Sequence, residues 1–374
     1  MITLEVGGHR YEGFTSISVF RSIETISGSF SFAATTAAGS VFPIKAGNSC
    51  SVFVDNNQVI NGYIDSVDIS YDSATHTISI RGRDKTCDLV DSSLVGVKEF
   101  NGMGLVDIIK KVLSDNNMDN TSVVDESGAS LKPFTGLDPA SSPVSQTLFE
   151  FLEGLARKRQ VLLSTDGKGN IVLSRSGSTS SSTILQNKID GNMNNIKSAI
   201  ASYDFTGRFY KYILQSGQSV QAFSLEADIG YDTATSQDGE VLDENIRKSR
   251  ISEVISENPD SSTNLKELAT WTKNLSAARS MEYSCVVQGY YSDKGDTVLW
   301  QPNMLVEIAD DFADINATLL IKSVEYNLSL DAGSTTTISF VDKNAYTLQA
   351  KIDTANANAN KQGVDFLDFT GDQS

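Results

Sequence analysis

The sequence predicts a mainly β protein with α+β parts, in which two similar antiparallel β-barrels are related by internal duplication. Three observations support this class. Segments that alternate apolar and polar residues occupy both ends of the chain, helical periodicity is confined to shorter stretches between them, and a hairpin of the first end recurs at the second. An inserted α/β domain and a helix-containing insertion complete the predicted architecture.

Composition limits the function classes. The chain has 374 residues, of which 40% are hydrophobic and 21% are charged, which is typical of a globular protein with room for several domains. Its 30 Lys and Arg against 47 Asp and Glu leave a net charge of -17. Such an acidic chain is poorly suited to hold nucleic-acid phosphates.

Targeting segments and metal ligands are not predicted. The N-terminus lacks a basic segment followed by an apolar core, and no apolar run approaches the roughly 20 residues that span a bilayer. The three cysteines, Cys50, Cys87 and Cys285, are scattered and fit reduced structural thiols. His9 and His76 lie far from any cysteine, so we expect neither a metal nor a cofactor.

Residues 1–92 are predicted to form the first barrel. Six short alternating segments occur there, separated by turn residues: "ITLEV", "SISVF", "SFSFAA", "CSVFV", "VINGYIDSVDISYD" and "HTISIRG". Residues 93–190 are predicted to form the α/β domain. Apolar residues recur at helical spacing after Leu105 and again after Leu148, and "QVLLST" and "IVLSR" flank a glycine-containing turn.

The second barrel is predicted to be discontinuous, with residues 191–216 and 281–345 contributing strands. Residues 217–280 are then an insertion with a helix over 264–278. The polar tail at 346–374 is expected to become ordered only against a neighbour.

The repeat supports the duplication most directly. "IDSVDISYDSATHTISIRGRDK" at 64–85 matches "IKSVEYNLSLDAGSTTTISFVDK" at 321–343, with residues 77–80 placed on 337–340 and residues 84–85 on 342–343. The segments "NSCSVFVD" and "NMLVEIAD" are also alike, and "ISVFRSIETISGSFSF" resembles "IASYDFTGRFYKYIL". Strand-forming residues are common in any β protein, so it is the shared order of several segments that favours a duplication.

A dense run of charge ends the first copy of this hairpin. Catalysis there would require a base, an orienting partner and a pocket, and no histidine is near. We therefore expect ion pairs at a barrel rim, within or between subunits, or else a solvated charge run. The predicted interface residues are Arg81, Arg83, Asp84 and Lys85, together with Asp342 and Lys343 of the second copy.

The sequence gives little support for phosphate binding, glycosidase catalysis or sugar binding. "DGKGN" joins two strands, and "FNGMG" precedes a helix without a phosphate-binding motif, so Asn101 is expected to be a helix cap. Glycosidase-like carboxylate pairs, Asp65 with Asp68 and Glu150 with Glu153, are frequent by chance in an acidic chain. The sequence has only two tryptophans, Trp271 and Trp300, so it offers little aromatic surface for a sugar-binding cleft.

Longer segments carry a family resemblance. "GYIDS", "RGRDKTCDLVDSS", "LFEFLEGLARKRQVLLSTDGKGNIVLSR" and "LWQPNMLVEI" closely resemble the central baseplate hub of Mu-like contractile-tailed phages. The likeness covers nearly the whole chain and weakens over 217–262 and in the tail. It implies a non-enzymatic homotrimer of the virion tail baseplate, assembled in the host cytoplasm, between the tail tube and the central spike. Related hubs occur in other contractile injection systems.

The resemblance also implies a mechanism. A trimer with two like barrels per subunit would match a sixfold tube to a threefold spike and leave a passage for DNA, which we expect to be lined by acidic and neutral polar groups. Expected partners are the tube protein or a tube-adjacent baseplate protein, the spike protein and the tape measure protein, without stable membrane insertion. The alternatives are a β-rich receptor-binding or adhesin module and a cell-wall hydrolase.

Overall fold

The computed structural model describes residues 1–35, 43–72, 76–96, 99–127, 133–134, 140, 146–159, 161–216, 240–256 and 265–345. The mainly β class predicted from the sequence is confirmed. The tail at 346–374 lies outside the described residues.

Seven strands form what we call the first strand set. Their inward positions are buried and their alternate positions are partly exposed, as the apolar and polar alternation predicts. The strands are β1 (Ile2–Val6), β2 (His9–Tyr11), β3 (Ser16–Ser22), β4 (Ser29–Thr35), β5 (Ser49–Val54), β6 (Asn57–Tyr71) and β7 (His76–Asp84).

An α/β unit follows. The apolar stripe of its second helix is fully buried, and its three strands form a separate sheet in which the predicted hairpin is antiparallel. The elements are α1 (Cys87–Asp91), α2 (Leu105–Asp115), β8 (Val123–Asp125), α3 (Leu148–Lys158), β9 (Leu162–Thr165) and β10 (Ile171–Ser174). Helix α2 begins after Gly104 without a side-chain cap, so the expected capping by Asn101 is wrong.

The remaining elements form the second strand set and a small sheet. The second strand set contains β11 (Thr179–Ser180), β12 (Leu185–Asn187), β13 (Ile196–Tyr203), β17 (Met281–Gln288), β18 (Met304–Asp310), β19 (Ile315–Ser329) and β20 (Gly333–Asp342). The small sheet has the order β15-β14-β16 and packs against a helix. Its elements are β14 (Lys211–Ser216), β15 (Glu240–Leu242), β16 (Ile251–Ser256) and α4 (Leu265–Ala278).

The two strand sets repeat one strand order. The first runs β5-β6-β7-β4-β3 and the second runs β18-β19-β20-β17-β13, with antiparallel neighbours throughout. Strand β3 also pairs with β19, so both sets belong to one 14-stranded sheet and share one hydrophobic core. The hairpin recurrence in the sequence therefore corresponds to a recurrence of topology.

A shared bulge aligns the two copies. The register of β6 on β7 shifts between Ile64 and Ser66, and that of β19 on β20 shifts between Ile321 and Ser323. Counting from the bulge places Asp84 on Asp342 and Lys85 on Lys343, as the sequence predicts. It places Ile80 on Ile338, whereas the sequence alignment set Ile80 on Phe340. The two-residue error kept every side chain on its correct face, because strands have a period of two.

Strand β14 departs from the predicted second barrel. The sequence grouped residues 191–216 with that barrel, but β14 pairs with β15 and β16 and takes no part in the large sheet. The position next to β20 is taken by β17, which comes after α4. A strand pattern identifies a strand but not its partner, and here the partners were separated by the insertion.

Candidate functional site

The charged run at 81–85 joins the first strand set to the α/β unit. The Arg83 guanidinium lies between two carboxylates, with Nε 2.7 Å from Asp65 Oδ2 and an Nη atom 2.7 Å from Asp91 Oδ2. Asp65 belongs to β6 and Asp91 ends α1, so one side chain links the sheet to the helix. Its hydrogen bonds lower the pKa of the Asp91 carboxyl.

Asp84 is buried at the last position of β7. Its Oδ1 accepts hydrogen bonds from the Thr86 backbone N–H and hydroxyl, each at 3.1 Å, while Oδ2 has no hydrogen-bond partner. Burial raises the pKa of this carboxyl despite those bonds and the nearby Arg21 charge. Asp342, its counterpart, likewise accepts the backbone N–H two residues on, from Asn344 at 2.7 Å. In both copies the aspartate side chain stabilises the turn that follows the strand.

Lys85 and the "DGKGN" turn form a second contact between the same units. Lys85 Nζ donates to the Asn120 carbonyl at 2.7 Å, and its stem lies so close to Gly169 that a Cβ there would be 2.2 Å from Lys85 Cε. Gly167 lies close to the backbone of β6, where a Cβ would be 2.5 Å from the Val59 carbonyl oxygen. The two glycines allow the turn to pack against the first strand set, and no phosphate site is needed to explain them.

Groups that a catalytic hypothesis would use have structural roles. Glu150 accepts from the Thr147 N–H while Thr147 Oγ1 accepts from the Glu150 N–H, which is a capping box at the start of α3. All three cysteines are buried, and burial raises the pKa of each thiol to about 12. Such thiols remain protonated at neutral pH and are poor nucleophiles. Trp300 is buried and offers no sugar platform.

A cavity of about 190 Å³ lies where the first strand set, the α/β unit and the second strand set meet. Its described lining residues include Arg21, Glu126 and Asp166 but no His, Cys or Lys. Arg21 donates to the Thr165 carbonyl at 2.8 Å, and Asp166 Oδ1 accepts two backbone N–H groups of its own turn. These groups hold the junction together, and the cavity lacks a nucleophile with an adjacent base.

Over the described parts of the chain, no group of three or more His, Cys, Asp or Glu side chains is arranged to hold a metal ion. No described helix is both long enough and apolar enough to cross a bilayer.

Eight consecutive strands of the large sheet present a polar face opposite the core. The order is β6-β7-β4-β3-β19-β20-β17-β13, and directly paired residues share a face. Hydroxyl side chains dominate this polar face: Ser16, Ser18, Ser22, Ser29, Ser31, Ser66, Ser70, Thr77, Ser79, Ser198, Ser202, Ser284, Ser323, Thr337 and Ser339. Its paired positions also carry Asp68, Glu282 and Glu325 against Arg81 and Arg83.

Comparison with known proteins identifies the family. The N-terminal domain of GpP-like Mu phage baseplate assembly proteins matches residues 1–84, the second domain of gp44-like baseplate hub proteins matches 86–175, and the fourth domain of Mu phage baseplate assembly protein GpP matches 261–349. The chain is 25% identical over 373 residues to baseplate hub protein gp44 of Escherichia phage Mu, which covers 98% of this chain and 94% of gp44. The chain belongs to the Mu-like baseplate hub proteins.

Solved structures agree with this assignment. The 43 kDa tail protein of prophage MuSo2 from Shewanella oneidensis is 28% identical, with a TM-score of 0.77 over 93% of the hub and 99% of that chain. The tail protein of Neisseria meningitidis MC58 shares the fold, with a TM-score of 0.75 at 19% identity over 93% of the hub and 98% of that chain. The predicted resemblance is confirmed, and the hub is a structural component of the phage tail baseplate.

The hub brings together only part of the predicted residue set. Arg83 and Lys85 make side-chain contacts with the α/β unit, and Asp84 is enclosed by its own chain. Arg81 is 65% exposed on the polar face, with its guanidinium 4.0 Å from Asp68. The exposed Lys343 lies at the corresponding end of the second strand set. The polar face itself was missed, although the serines that alternate through "SISVF" and "SFSF" were a signal for it.

We expect the Arg83→Ala variant to lose about 1 kcal/mol of unfolding free energy, because the side chains of its two ion pairs are 36% to 51% exposed and screened by water. Urea denaturation measures the change, and the loss should shrink as salt is added. Arg81→Ala is the matched control, with an expected change within about 0.5 kcal/mol. A salt-independent loss several times larger would contradict this description of the junction.

Proposed function

We propose that the hub forms a homotrimeric ring that joins the sixfold tail tube to the threefold central spike and leaves a passage for DNA. The repeated strand order carries this proposal. Because each chain contains two copies of one strand arrangement, three chains present six similar units on one side of a ring. Closed symmetric rings of this kind leave no unmatched interface.

The link between β3 and β19 supports the ring. It joins the two strand sets side by side within a single sheet, through seven directly opposed residue pairs. A chain therefore already contains one of the contacts that neighbouring units of a six-membered ring would make. The α/β unit and the small sheet have no counterpart in the other copy, so we assign them to the threefold side, toward the spike.

The polar face is suited to line the passage. Hydroxyl groups hydrate well and carry no charge that would hold phosphates electrostatically, and the few charges on this face are nearly balanced, with a slight acidic excess. A continuous basic wall would hold DNA electrostatically and slow its movement. The passage thus needs neither sequence recognition nor bond chemistry, and the hub acts without catalysis.

Among the predicted interface residues, Arg81 and Lys343 are the ones suited to reach another protein. Both have exposed positions, whereas Arg83, Asp84 and Lys85 are engaged within the chain. The proposal also includes contacts of the hub with other tail proteins. These are the tube protein or a tube-adjacent baseplate protein, the spike protein and the tape measure protein.

Sedimentation and electron microscopy of the purified full chain test this function. We expect a particle of three times the 40.4 kDa chain mass, with six similar lobes on one side and threefold features on the other. Addition of the matching spike and tube proteins should produce binding on opposite sides. A chain that remains monomeric with both partners present, or one that instead binds host-cell surfaces or degrades peptidoglycan, would overturn the proposal.

A further inference from the structure

We propose that the cavity at the junction of the three units binds one small oxyanion, such as phosphate, sulfate or a carboxylate, on the guanidinium of Arg21. The bound anion connects the first strand set, the α/β unit and the second strand set, all of which contribute to the cavity wall. The site lies within a single chain, so this inference does not depend on the proposed ring.

Arg21 occupies a position of β3 that is otherwise apolar. Its neighbours on the same face of the strand are Ile17 and Val19, both of which are buried in the core. Only 8% of Arg21 is exposed. A charged side chain at such a position is costly unless an opposite charge or several hydrogen bonds compensate it.

The chain itself supplies Arg21 with little compensation. The guanidinium makes one hydrogen bond among the described residues, to the Thr165 carbonyl at 2.8 Å, and no ion pair with a described carboxylate. Asp84 is the nearby acid, but it binds Thr86 instead, and burial raises the pKa of its carboxyl, which favours the uncharged form. A guanidinium carries several N–H donors in a planar fork, so most of those of Arg21 are available to a ligand.

Two hydroxyl groups of the cavity wall are also available as donors. Asn303 has a φ of 71°, and its Oδ1 accepts the Gly177 N–H at 2.8 Å, which fixes the side chain. Its amide nitrogen then donates to Ser174 Oγ at 3.3 Å and to Ser178 Oγ at 3.2 Å. Both hydroxyl oxygens therefore act as acceptors, and among the described residues neither hydroxyl has an acceptor for its own proton.

This set of donors matches an oxyanion. A guanidinium binds carboxylate, sulfate or phosphate oxygens through parallel hydrogen bonds, and hydroxyl groups complete such sites. The volume of about 190 Å³ equals that of about six water molecules, enough for a small anion with part of its hydration shell. Further hydroxyl groups in the wall belong to Ser22, Thr25, Ser164, Thr165 and Thr179.

The two acids of the wall limit the charge of the ligand. Asp166 is engaged in its own turn, where its carboxylate accepts the Lys168 and Asn170 backbone N–H groups and the Asn170 side-chain amide. Glu126 is exposed, so water screens its charge. Both nevertheless repel anions, and together with the small volume they favour a single small oxyanion over a polyphosphate such as a nucleotide.

Calorimetric titration of the purified full chain tests the site. Sodium phosphate, sodium sulfate and sodium acetate are the probes, each at neutral pH with ionic strength balanced by sodium chloride. We expect saturable binding of one anion per chain for at least one probe, and the tighter probe distinguishes a tetrahedral ligand from a carboxylate. Arg21→Met should weaken binding at least about tenfold, because hydrogen bonds from a charged donor are lost. The control Arg81→Met, on the polar face, should bind as the unaltered chain does.

Ser174→Ala keeps the test decisive if Arg21→Met does not fold. It removes one hydroxyl donor, and we expect binding about three- to tenfold weaker. Ser79→Ala on the polar face is its matched control and should have no effect. The inference is overturned if none of the three probes binds saturably up to about 20 mM. It is also overturned if Ser174→Ala and a folded Arg21→Met both bind as tightly as their controls.

Discussion

Replacement of Arg208 by methionine is expected to lower the opening free energy of the small sheet by about 3 to 5 kcal/mol. Arg208 and Asp243 form a buried ion pair, with side chains only 8% and 6% exposed. Two guanidinium nitrogens donate to Asp243 Oδ2, at 2.7 and 3.1 Å. Methionine retains most of the apolar stem but leaves the carboxylate buried without its cation, which is far costlier than loss of a surface pair.

Hydrogen exchange of the β14 amides measures this change. Arg81→Met is the matched control, because its partner Asp68 is also an aspartate but both side chains are about two-thirds exposed. We expect the control to shift exchange by less than about 0.5 kcal/mol. Similar losses in the two variants would contradict the assignment of Arg208 as the main charged support of the small sheet. Amides of β6 and β7 should stay unchanged in the Arg208 variant, since they belong to another sheet.

Single helices and strands were the features best predicted from the sequence, because the spacing of apolar residues within one segment shows which side of that segment is buried. The stripe of α2, with Leu105, Ile108 and Val112 on one side, predicted a helix that is buried on that side. The alternation in "HTISIRG" predicted β7 for the same reason. In each case the pattern reports which side chains leave water, and that burial drives formation of the element.

The pairing of strands with one another was less predictable, because it depends on residues far apart in the chain. Strands β14 and β17 both alternate, and nothing local shows that β17 fills the place next to β20. Likewise β15 and β16 lie in an interval where the sequence showed no clear period. They are short and partly exposed, so their pairing with β14 sets their structure more than their own apolar content does.

The charged cluster shows a similar limit. Of the four residues expected to form ion pairs, Arg81 and Arg83 do so within the chain, whereas Asp84 and Lys85 form hydrogen bonds to uncharged backbone groups. The sequence did not reveal that Asp91, on the short helix α1, would be the second partner, because that contact depends on how the chain leaves β7. A contact between the exposed Arg81 and another protein belongs to the proposed assembly.

Replacement of Gly62 by alanine is expected to cost about 3 kcal/mol or more of unfolding free energy in the first strand set. Gly62 lies in β6 opposite Asp84, where a Cβ would be 1.8 Å from the Arg83 carbonyl oxygen and 2.7 Å from Asp84 Cα. Backbone atoms cannot rotate away as a side chain does, so the two strands would have to separate. The corresponding position of the second copy holds Leu319, which shows that only the first copy has this close approach.

Urea denaturation followed by tryptophan fluorescence measures the loss, with Gly154→Ala as the control. Gly154 is exposed in α3 and a Cβ there meets no atom within 4 Å, so its replacement should be neutral or stabilise the helix by up to about 1 kcal/mol. Unchanged stability in Gly62→Ala would contradict the tight contact between β6 and β7 at this position.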